Sequence, residues 1–159
     1  MEESPHLTIE VVWEDTDLEE LSISANNGRY SGKVEVYFAL GDVQLLANSI
    51  RGFPKTTSQQ EVFTGGNDTA YPFAELVFYC TDGTGHPAVQ VTLAETVYHS
   101  GQPVTENRVK LEVLFEATEL DEFCRELDLV ARRKTKRALL RGRAAQQFVG
   151  RERNQRALK

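Results

Sequence analysis

The sequence predicts an α+β fold: two layers, with one antiparallel sheet of about six strands built from a duplicated βββα unit and both helices on one face. Three observations lead there. An internal repeat aligns without gaps, apolar residues alternate at period two ahead of each repeat helix, and turn residues fall at spacings suited to consecutive hairpins.

The first half opens with Leu7, Ile9, Val11 and Trp13, followed by Leu21, Ile23 and Ala25, each set at alternate positions as expected of a strand with one buried face. Asn27-Gly28 can supply the positive φ of a tight turn into a third strand, which carries Val34, Val36 and Phe38. Val43, Leu46, Ala47 and Ile50 then recur at i, i+3, i+4 and i+7, a helical stripe begun at Asp42 as N-cap and stopped by Gly52 and Pro54. Between Phe53 and Tyr71 the halves are joined; Glu61-Val62-Phe63-Thr64 adds a short strand and Gly65-Gly66-Asn67-Asp68 reads as a mobile loop.

The second half repeats the scheme. Leu76, Phe78 and Cys80, then Val89, Val91 and Leu93, are separated by Asp82-Gly83-Thr84-Gly85, and Ser100-Gly101-Gln102-Pro103 turns the chain toward Leu111, Val113 and Phe115. Lys110-Leu111-Glu112-Val113-Leu114-Phe115 matches Lys33-Val34-Glu35-Val36-Tyr37-Phe38, and the stripe Leu120, Phe123, Cys124, Leu127 matches that of the first helix, with Thr118 as N-cap.

Charge divides the chain into an acidic domain, 1–130, and a basic C-terminal extension, 131–159. The first holds 23 Asp and Glu against 7 Lys and Arg, the second 11 Lys and Arg against Glu152. Such segregation bears on partners, because a surface of one sign concentrates the opposite sign nearby. With helices on one face, period two places Glu10, Glu35, Tyr37, Glu75, Tyr79 and Glu112 on the other, together with Val12, Ser22, Ser24, Val77, Gln90, Thr92 and Leu114. Tyrosine among carboxylates suits recognition of a basic protein; the plainer reading is a solvated sheet.

In the extension, Arg132, Arg133, Lys134, Lys136, Arg137, Arg141 and Arg143 form a density of charge that can contact phosphate or an acidic surface. Phe148 is its one aromatic residue, so stacking on bases is weakly provided for. Leu140, Ala144 and Phe148 at i, i+4 and i+8 allow a helical continuation, whereas Gly142, Gly150 and self-repelling arginines favour disorder. On either reading the extension is dispensable for folding.

Reaction chemistry is thinly represented. His6, His86 and His99 are scattered without metal-ligand spacing, Cys80 and Cys124 read as structural thiols, and no phosphate loop or nucleophile elbow occurs. The run Glu14-Asp15-Thr16-Asp17-Leu18-Glu19-Glu20 lacks the glycine and spacing of a Ca²⁺ loop and reads as a solvated hairpin end. The expectation is a non-enzymatic protein without metal or cofactor. Two cysteines and the absence of an apolar leader or span point to the cytoplasm and away from membranes.

Tyr30-Ser31-Gly32 at the end of a hairpin, the passage into Val43–Ile50 closed by Gly52, the strand pair around Gly85, and the strand Val109–Phe115 leading into Leu120–Leu127 together resemble the small bacterial immunity proteins of the WapI type. The likeness covers about residues 6 to 130 and leaves the basic extension outside it. It implies a cytoplasmic protein that binds and neutralises the toxic domain, often a nuclease, of a large secreted toxin. The alternative function is a nucleic-acid-associated protein held through the extension alone.

Overall fold

The computed structural model describes residues 4–69, 72–101 and 104–144. Gln102 and Pro103 of the expected turn, and Phe148 of the expected stripe, lie outside them. The alternating segments form strands β1 (His6–Glu14), β2 (Leu18–Asn26) and β3 (Ser31–Ala39), then helix α1 (Asp42–Ile50), strands β4 (Glu61–Gly66), β5 (Phe73–Cys80), β6 (Pro87–Val97) and β7 (Thr105–Leu114), helix α2 (Ala117–Ala131) and strand β8 (Arg137–Arg141).

The α+β class holds, but the single six-stranded sheet does not. The strands form two four-stranded antiparallel sheets, ordered β3-β2-β1-β8 and β4-β5-β6-β7. Strand β3 approaches β4, β5, β6 and β7 in turn, so it runs across the second sheet instead of pairing with its edge. There Phe38 stacks on Phe63 with centroids 4.7 Å apart. Gly65 permits this approach, since a Cβ at that position would run into the Phe38 ring.

The duplication extends one strand beyond the expected unit. The inward row Val34-Ile23-Ile9 of sheet one continues to Ala138 on β8, and the row Leu111-Val91-Leu76 of sheet two continues to Phe63 on β4. Each helix is therefore followed by a strand that completes the sheet of the other half. Both inward faces and both helical stripes share one core, in which Phe53, Phe78 and Phe115 meet edge to face at 6.5 and 6.3 Å. The helices are clamped to each other by Asp128: Arg51 donates from Nη1 and Nη2 at 3.1 and 2.9 Å, and Gln44 Nε2 at 3.0 Å. The Arg51 guanidinium holds the Asp128 carboxyl below its ordinary range.

The start of the basic extension neither continues α2 nor stands apart from the fold. Helix α2 ends in a Schellman turn, with Arg133 at φ 60, Arg133 N–H donating to Val130 O at 3.0 Å and Lys134 N–H to Leu129 O at 2.9 Å. The chain then reverses and β8 pairs with β1, burying Ala138 and Leu140 completely. Gly65 and Gly66, expected in a mobile loop, belong to β4. Neither expected N-cap is one: Gly41 and Glu116 occupy those positions without a side-chain cap, and Asp42 instead accepts the Ala39 N–H at 3.0 Å.

Candidate protein-binding face

Because the sheet is divided, the expected acidic face is divided too. Glu10, Glu35 and Tyr37 lie on the outer side of sheet one, while Glu75, Tyr79 and Glu112 lie on sheet two. All six keep the outward orientation that alternation assigned them. They do not form one surface.

On sheet two the side chains are largely satisfied among themselves. The Tyr79 hydroxyl donates to Glu112, and Thr64 Oγ1 donates to Glu75 Oε2 at 3.4 Å. Thr92 is buried between its neighbours, as is Ser22 on the other sheet. Tyr79 is only partly exposed, which makes it a poorer anchor than expected.

Sheet one carries an apolar island at the hairpin end of β1 and β2. The alternation Leu7, Ile9, Val11 predicts an inward Trp13, yet a β-bulge between Val11 and Trp13 shifts the register by one and pairs Trp13 with Glu20. The indole is thereby turned outward, 46% exposed, and meets the Tyr37 ring edge-on at 5.9 Å; Tyr37 itself is 57% exposed. Val12 and Leu18 are exposed at the same end. Trp13, Glu20 and Tyr37 form one row across β1, β2 and β3, and the next row reads Arg137, Glu10, Ser22, Glu35. Glu20 accepts the Tyr37 hydroxyl and raises its pKa, which fixes the ring without covering it.

The turn linking β1 and β2 adds to the negative charge. Asp15 Oδ1 accepts the N–H groups of Asp17 and Leu18, both at 2.8 Å, which holds the Asp15 carboxyl below its ordinary value. An exposed aromatic pair thus sits among Glu10, Asp15, Asp17, Glu20 and Glu35. The pairing of rings and acids has the composition of a protein-contact hot spot with an electrostatic rim. Val12 is outward as alternation assigned it, whereas Trp13 and Leu18 escape that reading, although the consecutive apolar pair Val12-Trp13 interrupts the alternation where the bulge falls.

The described part of the basic extension, residues 131–144, folds back onto the acidic body. Arg133 Nε lies 3.6 Å from Glu14, Arg141 Nη1 3.7 Å from Glu126, and Arg143 Nε 3.4 Å from Glu116. Arg137 and Arg141 also line a groove of about 540 Å³ with Ser4, Pro5, His6, Leu139 and Gly142. Arg132, Lys134 and Lys136 are at the exposed turn between α2 and β8. No family model matches the sequence, and no curated protein or solved structure matches it.

Among the described residues no group of three or more His, Cys, Asp or Glu is placed to hold a metal ion, and no helix is long and apolar enough to cross a membrane. His86 Nδ1 and Asp82 Oδ2 are 2.8 Å apart in the β5–β6 turn, where Thr84 and His86 hold the Asp82 carboxyl well below the usual range. Cys124 is buried against the Ala47 carbonyl, and burial pushes its thiol up to about 11, an environment that suits packing.

Proposed function

We propose that this protein is a non-enzymatic cytoplasmic inhibitor of the immunity type, which captures a basic, nuclease-like toxin domain on the outer face of sheet one. The observation that carries the reading is the Trp13–Tyr37 pair, exposed and surrounded by carboxylates. Large aromatic side chains supply contact area at small entropic cost, and carboxylates around them steer a cationic partner and set its orientation. A nuclease must attract phosphate, so its active surface offers the complementary sign. Glu35 and Tyr37 keep the roles expected of them, Trp13 replaces Tyr79 as the second anchor, and Glu75 and Glu112 fall outside the contact.

The test is capture of cationic bacterial nuclease toxin domains, with Trp13→Ala and Tyr37→Ala compared against wild type by biolayer interferometry. Each substitution is expected to weaken a bound partner by about 30-fold or more with unchanged circular dichroism, as hot-spot truncations do. Association should slow by about tenfold or more between low and physiological salt. A partner that binds both variants as tightly as wild type rules out this face.

Nucleic-acid binding through the extension has one observation in its favour, the groove containing Arg137, Arg141 and His6. Truncation of the extension cannot separate the readings, because it would remove β8 from the core. Arg141→Gln, which takes a cation out of that groove, combined with Arg132→Glu and Lys134→Glu at the exposed turn, leaves β8 in place and should weaken phosphate-driven binding while sparing capture on the Trp13 face.

A further inference from the structure

The two halves treat their fourth strand differently. In sheet one, α2 packs along β8, and Glu126 Oε1 accepts the outward N–H of Leu139 at 3.3 Å, so the edge is covered. Leu139 pairs with Thr8 as Thr64 pairs with Glu75, in corresponding rows, which makes Thr64 its counterpart on β4. Helix α1 has nine residues against fifteen in α2. Its position matching Glu126 is Ser49, whose hydroxyl donates to Leu46 O at 2.9 Å inside its own helix.

Among the described residues no strand pairs with the outer edge of β4. Asn67 N–H donates to Pro72 O at 3.2 Å, so the antiparallel alternation sends the backbone groups of Glu61, Phe63 and Gly65 toward β5 and those of Val62 and Thr64 outward. Beside that edge lies a cleft of about 280 Å³ lined by Asp42, Leu45, Leu46, Ser49, Val62, Phe63 and Thr64. Leu45 is 66% exposed where its counterpart is Glu122, and Val62 is 59% exposed. Asp42 is the charged residue among those lining the cleft, Glu61 precedes Val62 on β4, and Glu75 is the ladder partner of Thr64.

We propose that the β4 edge accepts an extended, basic segment of a partner protein as a fifth strand of sheet two. Backbone bonds to Val62 and Thr64 would hold it, an apolar side chain would enter between Leu45 and Val62, and its cations would face Asp42, Glu61 and Glu75. Charge selects this occupant over a second copy, because an antiparallel β4 from another molecule brings its own Glu61 and Asp42 against these acids. The edge belongs to sheet two and the Trp13 face to sheet one, so either can fail without the other.

The probe is a peptide of about ten alternating valines and lysines, titrated into the ¹⁵N-labelled full chain at physiological salt, with a valine–glutamate peptide as control. Saturable shifts and slowed amide exchange at Val62 and Thr64, with the basic peptide alone, are expected. Val62→Pro removes an outward N–H while leaving the ladder to β5 intact, and should weaken binding at least about tenfold; Leu45→Ser, which removes only an exposed apolar side chain, should weaken it from the cleft. Shifts spread over all acidic surfaces without protection at Val62 and Thr64, or undiminished binding by both variants, would overturn the proposal. So would a dimer in sedimentation equilibrium that Val62→Pro dissolves, which would assign the edge to a second copy.

Discussion

Glu19 brings a carboxylate to the end of the core, on the inward side of β2 in line with Leu21 and Ile23, and is 7% exposed. Glu14 stands opposite it in the ladder and Asp42 lies near, so burial first and these like charges second raise its pKa, against an opposing pull from Arg133. A carboxyl with a raised folded pKa holds its proton longer folded than unfolded. Stability therefore falls as pH rises from the ordinary 4.5 through the folded value, and the loss persists at neutrality. Glu19→Gln should raise the melting temperature at pH 7 by about 2–4 °C, an effect of about 1 kcal/mol, and the gain should vanish below pH 4.5. A gain that persists undiminished in acid would assign it to packing instead. Carried back from Leu21, Ile23 and Ala25, the alternation of β2 reaches Glu19, but the acidic run from Glu14 to Glu20 reads as a solvated hairpin end, and it is the paired strands that put this one carboxylate in the inward row.

The elements divide by whether local signals suffice to specify them. The strands carrying Val34, Val36 and Phe38, or Leu111, Val113 and Phe115, and the helical stripes after them, are legible because each buries one periodic face. Whether two sets of hairpins join at their edges or pack face to face is not a local property, since backbone edges carry no side-chain pattern; hence one expected sheet became two. Strand β8 is hidden for another reason. Arg133 adopts the left-handed turn that glycine normally announces, and Leu140 is at once a helical spacing from Ala144 and a strand neighbour of Leu7. Two substitutions test the arrangement by urea denaturation. Leu140→Ala should cost about 2–5 kcal/mol, as expected for a fully buried leucine, whereas a dispensable extension would lose almost nothing. Arg133→Gly should stabilise by up to about 1 kcal/mol, because relief of the left-handed backbone outweighs an exposed ion pair to Glu14.

At the scale of the whole molecule the exchanged fourth strands set the cooperativity. Strand β4 follows α1 but completes the sheet of β5, β6 and β7; β8 follows α2 but completes the sheet of β1, β2 and β3. Neither half can close its sheet without the other, and Asp128 ties the two helices over a common core. Such interlocking predicts a single unfolding transition in place of two sequential ones. Cys124 lies at the helix–helix contact, buried and with its thiol pushed up to about 11, so in the folded state it is neither accessible nor ionised near neutral pH. In a Cys80→Ser background, alkylation of Cys124 should therefore follow the loss of helical circular dichroism across the urea transition, with one midpoint for both. Labelling that begins well before helix is lost would mean that the helical pair opens by itself, and the strand exchange would then not be what couples the halves.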